Sequence, residues 1–170
     1  MSIIEPDRDA WATPPELWAA ICAEFGTPLL DVCASAQNAK CGLYYTEEQD
    51  GLKQPWLRDG GLNFCNPGYS NVVPWLEKAA QEAQLGACSI VLTHVTLSGG
   101  DGRNRTGVKP YFQQACSIHM LLNPRVQFLP PAGVKATSNA KDNMIWGFAP
   151  GRKFTETVWW DWTKEAANAK

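Results

Sequence analysis

The chain carries no marked charge of either sign: 15 Lys and Arg stand against 17 Asp and Glu, for a formal net charge of −2 over 170 residues. A polyanion is therefore not attracted to the molecule as a whole, and any contact with nucleic acid has to rest on local positive charge. Histidine is scarce, with only His94 and His119. Six cysteines (Cys22, Cys33, Cys41, Cys65, Cys88 and Cys116) stand singly. They form no C-x-x-C pair, and neither histidine lies near such a pair, so the spacing supplies no metal site. No apolar run approaches the roughly 18 residues of a membrane span. The opening MSIIEPDRDAW lacks the basic start and apolar stretch of a secretory signal. The cysteines accordingly read as reduced, mostly buried thiols in the cytosol. Repeats, low-complexity tracts and linkers are missing as well. What remains, 45% hydrophobic, is enough for one well-buried core and reads as a single domain over residues 1–170, without a separate target-recognition domain.

Helical and strand periods alternate along the chain. In ATPPELWAAICAEFG, Thr13 and Glu16 have capping-box spacing, the prolines suit a first turn, and Leu17, Trp18, Ile21 and Phe25 recur at helical spacing before a Gly26 stop. PLLDVCAS reads as a short buried strand with Asp31 near its exit, GLYYT as a second strand, and residues 62–65 as a third. VVPWLEKAAQEAQLG is an amphipathic helix ending before Gly86. CSIVLTHVTL is the most strand-like run. YFQQAC then suggests a short helix, SIHMLL a strand, and RVQFL and NMIWGF the last two strands, joined by the polar stretch 132–142. TVWWDWTKEAANAK is aromatic, then polar, and is expected to pack one patch and fray. This alternation predicts an α/β fold with a mainly parallel sheet flanked by helices. In such sheets ligands bind beyond the carboxyl ends of the strands, where Asp31 and Asn66 both fall.

The run LNFC stops at Asn66-Pro67-Gly68-Tyr69, a tetrapeptide that cannot continue a strand. An ordinary loop is one reading of it. The other is chemical. The Asn66 side-chain oxygen and the Pro67 carbonyl are two adjacent acceptors that can take both N–H groups of an aminated base, aiming its nitrogen lone pair at an electrophilic methyl group. Tyr69 offers a π-face to a base swung out of the helix. No carboxylate or histidine base is required, and no cluster of histidines or paired acids appears near the turn in sequence.

Four stretches, ATPPELW, LDVCAS, NFCNPGYS and NPRVQF…NMIWGF, fall in an order and near a spacing that resemble the phage-type, Dam-like DNA N6-adenine methyltransferases. The likeness covers roughly residues 9–96 and, more weakly, 123–150. It departs from the family pattern at Gly68, where a second proline is usual, and in the first loop, where DVCAS replaces a Gly-rich segment. The resemblance implies a Rossmann-like fold that binds S-adenosyl-L-methionine. Thr13 and Pro14, with Trp11 and Ala12 before them, match the segment at the cofactor's methionine end. Asp31, Cys33, Ala34 and Ser35 match the loop beside the cofactor, and Asp50 the acid near its adenosine. Asn66, Pro67 and Tyr69 would be catalytic, on a flipped-out adenine in DNA. Gly68 and Ser70 of the same turn would contact DNA, together with Arg103, Arg105 and Lys109 of a flexible basic loop. A phage- or prophage-encoded protein in the bacterial cytoplasm is expected, with no membrane partner.

Each residue also has a plainer reading. Asp31 can cap a turn, Asp50 can be a solvated turn acid, and the basic loop can be merely solvated. Trp18 and Trp75 have core spacing, and Trp159, Trp160 and Trp162 suit packing better than base stacking. His94 and His119 lie in strand-like runs, as core or sheet-face residues. Two other functions fit the turn: cytosine-N4 methylation, because a cytosine amine meets the same acceptors, and a DNA- or nucleotide-binding module that has lost catalysis at Gly68.

Overall fold

A computed structural model describes residues 11–97, 107–152 and 156–164. In chain order these form α1 (Pro15–Phe25), β1 (Leu30–Asp31), β2 (Leu43–Tyr44), β3 (Leu62–Cys65), α2 (Val73–Gln84), β4 (Cys88–His94), α3 (Lys109–Phe112), β5 (Ser117–Leu121), β6 (Asn143–Phe148) and β7 (Glu156–Trp160). The seven strands make one sheet in the order β2-β1-β3-β4-β6-β5-β7. Pairs β1·β2, β1·β3, β3·β4 and β5·β7 are parallel, whereas β6 runs antiparallel to both β4 and β5. The sheet is thus mainly parallel, and no described helix is long and apolar enough to cross a membrane.

Alternate side chains of the central strands supply two cores, as the two-residue period of a strand requires. Phe64, Ile90, Leu92 and Ile145 point to one face, where Leu17, Ala20 and Ile21 of α1 cover them. Cys65, Val91, Met144 and Trp146 point to the other, under Leu76, Ala79, Ala80 and Ala83 of α2. Both helices bury residues spaced three and four apart, and a fully buried leucine such as Leu17 or Leu76 contributes about 2 kcal/mol. Gly26 ends α1 with φ +86°, its N–H bonded to the Cys22 carbonyl, as the sequence predicts.

Three elements differ from expectation. Thr13 is not the cap of α1: Pro14 holds that position, without a side-chain cap, because the Thr13 hydroxyl is engaged elsewhere. RVQFL forms no strand; Leu129 makes only an isolated antiparallel bridge to Ala12. The aromatic stretch TVWW is a true strand, β7, paired in parallel with β5.

The reversal of β6 matters for the site. His94 at the end of β4 pairs with Asn143 at the start of β6, and Met120 near the end of β5 pairs with Met144. The β5–β6 connection, residues 122–142, therefore starts and finishes at the edge where β1, β3 and β4 present their carboxyl ends. An antiparallel strand in an otherwise parallel sheet delivers a long polar segment onto the ligand-binding edge.

Candidate active site

Asn66 leaves β3 beside Asp31 on β1, as the register Asp31↔Phe64 requires. Its Nδ2 donates to Thr13 Oγ1 at 3.2 Å, and Thr13 is 1% exposed. This bond fixes the amide so that Oδ1 remains as acceptor. Thr13 is held in turn by its neighbours: Ala12 exchanges two backbone hydrogen bonds with Leu129, both 2.9 Å, and Trp18 N–H donates to Pro14 O at 3.0 Å. The Thr13-Pro14 segment thus serves to orient Asn66.

The turn opens on a cavity of about 510 Å³ lined by Trp11, Asn66, Pro67, Gly68, Tyr69 and Phe128, and walled on its far side by Val134–Lys141. Tyr69 meets His94 and Phe128 edge to face, with centroids 5.0 and 5.8 Å apart. Its hydroxyl accepts from Asn143 Nδ2. Burial pushes the Tyr69 phenol up, against the opposing effect of the Asn143 bond, so it stays neutral throughout the physiological range. Asn71 N–H donates to Gly68 O at 3.3 Å and closes the turn; Ser70 within it is exposed.

Asp31 is 3% exposed. Its Oδ2 accepts from Lys40 N–H at 3.0 Å and its Oδ1 from Cys33 N–H at 3.4 Å, so the loop after β1 folds back upon it. Burial raises its carboxyl to about 7, and the two backbone donors and the Lys40 charge only partly offset this. Ala34 N–H donates to Tyr45 O and Ser35 N–H to Asn38 Oδ1. Asp50 sits in the next turn at φ +56°, its carboxylate taken by Leu52 N–H and by Lys53 at 2.8 Å. That turn abuts β1. A Cβ added to Gly51 would lie 1.9 Å from the Val32 carbonyl oxygen, so glycine alone permits the approach.

The predicted residues therefore divide into two groups on either side of Asn66. Asp31, Cys33, Ala34, Ser35 and Asp50 gather at the exits of β1 and β2, and Trp11 joins the turn 66–69 at the cavity. Lys109 is exposed at the first position of α3 rather than in a flexible loop, and Arg103 and Arg105 lie outside the described residues. His119 packs against Phe25 and Trp160 and meets Glu24 at 3.2 Å; it is structural. Among the described residues no group of three or more His, Cys, Asp or Glu could hold a metal ion. Phe128 and Asn143 lie in the NPRVQF and NMIWGF stretches, to which the sequence alone assigns no site role, and Asn139 and the wall 134–141 belong to no motif; only the polarity of 132–142 marked that stretch.

A parallel half-sheet with an acid at the end of one strand, and an Asn-Pro-Gly-Tyr turn over a cavity at the end of the next, defines an amino-methyltransferase of Rossmann-like fold. Such an enzyme takes its methyl group from a donor. Residues 2–158 match the family model described as DNA N-6-adenine-methyltransferase (Dam). The DNA N-6-adenine-methyltransferase of Haemophilus phage HP1 is 30% identical over 148 residues, 85% of this chain and 80% of that protein. The protein of the same name from Escherichia phage T1 is 32% identical over 77 residues, 45% of this chain and 32% of that protein. The chain belongs to the DNA N-6-adenine-methyltransferase (Dam) family.

Gly68 stands where the sequence resemblance leads to the expectation of a second proline. It is not among the glycines with positive φ, so proline is not barred there by the sign of φ. Gly68→Pro is expected to keep its melting temperature and to transfer methyl up to fivefold faster, since less freedom has to be frozen when a base docks, a gain of at most about 1 kcal/mol. Single-turnover methylation measures it. A stable variant with much slower transfer would mean that the glycine has a purpose of its own.

Proposed function

We propose that the protein methylates the N6 amine of adenine in DNA, taking the methyl group from S-adenosyl-L-methionine, with the adenine flipped out of the duplex into the cavity beside Tyr69. The observation that carries this is the Asn66 amide, held through its nitrogen by Thr13 with its oxygen left to accept beside Pro67. In this arrangement Asn66 Oδ1 and the Pro67 carbonyl take the two N6–H groups. The nitrogen lone pair, otherwise delocalised into the ring, is thereby drawn toward tetrahedral geometry and aimed away from the turn. Tyr69 and Phe128 cover the base and exclude water. No side chain need act as a base before the attack, because the alkylated nitrogen becomes acidic and gives its proton to water.

The exits of β1 and β2 fit the cofactor in chemistry. Asp31 and Asp50 stand in neighbouring turns as acceptors suited to a ligand with a cationic amine and ribose hydroxyls, and Gly51 keeps the second turn close to the exit of β1. When bound there, S-adenosyl-L-methionine supplies an electrophilic methyl group whose leaving sulfur takes the bonding electron pair. Asp31, Cys33, Ala34 and Ser35 would hold its methionine and ribose portions, Asp50 its adenosine side, and Thr13 and Pro14 would keep Asn66 facing it.

In this proposal both ligands bind the one domain of a phage- or prophage-encoded protein working in the bacterial cytoplasm. The test is to express the protein in bacteria without adenine methylation of their own and digest the DNA for mass spectrometry. N6-methyladenine is expected; N4-methylcytosine, or no modified base, would overturn the proposal.

DNA affinity is expected to come from exposed lysines. Lys135 and Lys141 stand on the cavity wall, and Lys109 heads α3. Neutralising any one should weaken all DNA sequences about equally and lower the salt slope by roughly one. A triple substitution that leaves affinity and salt dependence unchanged would return these side chains to solvent.

A further inference from the structure

Asn143 is 2% exposed and takes no part in the chemistry above, yet its amide is fully engaged. Nδ2 donates to the Tyr69 hydroxyl and, at 3.1 Å, to the Thr93 carbonyl. Oδ1 accepts from Asn139 Nδ2 at 2.9 Å. Asn139 is itself oriented, since its Oδ1 accepts from Lys141 N–H at 3.0 Å. A line of amides therefore runs from the cavity wall, through a buried position at the start of β6, to the ring at the catalytic turn. The edge contacts of Tyr69 with His94 and Phe128 set how close the ring lies but are weakly directional. The hydrogen bond to its oxygen is directional and fixes where the phenolic end points. A buried amide is costly unless every polar atom is matched, and here the match includes both the wall and the ring.

We propose that Asn143 is a positioning residue. It holds the Tyr69 ring at the angle on which a planar base stacks, and through Asn139 it ties that ring to the wall 134–141. This rests on the turn being the base site. The position of the wall and the presentation of the ring are then linked.

The test uses Asn143→Leu, Tyr69→Phe and the double variant in the full chain. Tyr69→Phe removes the same link from its other end and leaves the Thr93 carbonyl paired, so it decides the matter even where Asn143→Leu does not fold. The first readout needs no activity. The protein has four tyrosines, and labelling with 3-fluorotyrosine gives each a fluorine resonance, that of Tyr69 being the one lost in Tyr69→Phe. A single sharp Tyr69 signal is expected in the native protein. It should broaden or split in Asn143→Leu while the other three stay in place. The second readout is single-turnover methylation of an adenine-containing duplex. The rate is expected to fall about 30-fold in either single variant and no further in the double, with DNA affinity within about twofold. An unmoved Tyr69 signal in Asn143→Leu, losses that multiply in the double variant, or a native rate in Tyr69→Phe would overturn the proposal. A native protein that methylates no adenine would sink the function proposed above instead, and the fluorine signal would still decide whether Asn143 fixes the ring.

Discussion

An Asn66→Ala protein is expected to transfer methyl groups 100- to 1,000-fold more slowly, while its affinity for S-adenosyl-L-methionine stays within a few-fold. Losing one preorganised group that stabilises developing charge typically costs on the order of 3–4 kcal/mol in the barrier. On the proposed mechanism the loss falls on the chemical step, since the Asn66 oxygen would serve the amine as its charge develops, whereas the cofactor would be held by other residues at the exits of β1 and β2. Thr13 also loses its partner, which adds a small structural term. Asn66→Asp keeps an acceptor at this position, to which the Thr13 hydroxyl can turn and donate. It should recover part of the rate. Single-turnover assays with a radiolabelled methyl group, alongside calorimetry for the cofactor, measure both quantities. Full turnover in Asn66→Ala would reduce Asn66 to a turn residue.

The second large effect concerns Asp31 and pH. Its carboxyl ionises near 7 in the folded protein because of burial, against an ordinary 3.8. Between those values the folded chain holds a proton that the unfolded chain has released, so each rise in pH favours unfolding. The stability contributed by this group is complete below about pH 4 and is lost as pH passes through about 7. The difference is at most roughly 4 kcal/mol. His94 and His119 oppose it, both having been shifted down chiefly by burial, and the comparison with Asp31→Asn isolates the carboxyl. Urea unfolding under reducing conditions at pH 5 and pH 8 should show a fall for the native protein and a smaller fall, or a rise, for Asp31→Asn. Identical pH dependence in the two would remove Asp31 as the cause. In calorimetry Asp31→Ala, which frees the Lys40 and Cys33 amides, should bind S-adenosyl-L-methionine more weakly; unchanged affinity would take Asp31 out of the cofactor crevice.

Much of this could be seen in the residues. Cys88–His94 is rich in branched residues and Asn143–Phe148 is largely apolar, as strands buried on both faces tend to be, and Gly26 and Gly86 stop their helices through local backbone preference. The two strand-end positions, Asp31 and Asn66, follow from the alternation of elements alone. What escaped was decided by distant partners. The edge strand β7 exists because β5 offers it hydrogen bonds, and no local pattern in TVWW records that. Thr13 has capping-box spacing, yet a hydroxyl can serve only where the tertiary structure leads it, and Asn66 claims it. Asn139 and Asn143 are ordinary polar residues bordering a strand; their worth appears only when the reversed β6 sets one against Tyr69. The wall 134–141 escaped for the same reason, since a polar stretch does not reveal which edge of a sheet it will cover.

The core beneath α1 has a consequence for how the protein comes into being. Leu17 and Ile21 share it with Trp160 and Trp162, and Phe25 touches Trp160 at 5.7 Å. Residues of the first helix are thus seated partly by residues some 140 positions further along the chain. Contacts of such long sequence separation form late, after much chain entropy has been surrendered. Thr13 stands two residues before α1, so its position against Asn66 follows the docking of that helix. The placement of Thr13 against Asn66 therefore rests on packing that spans the chain, since α1 is seated on Phe64, Ile90 and Ile145 of the sheet as well as on Trp160 and Trp162.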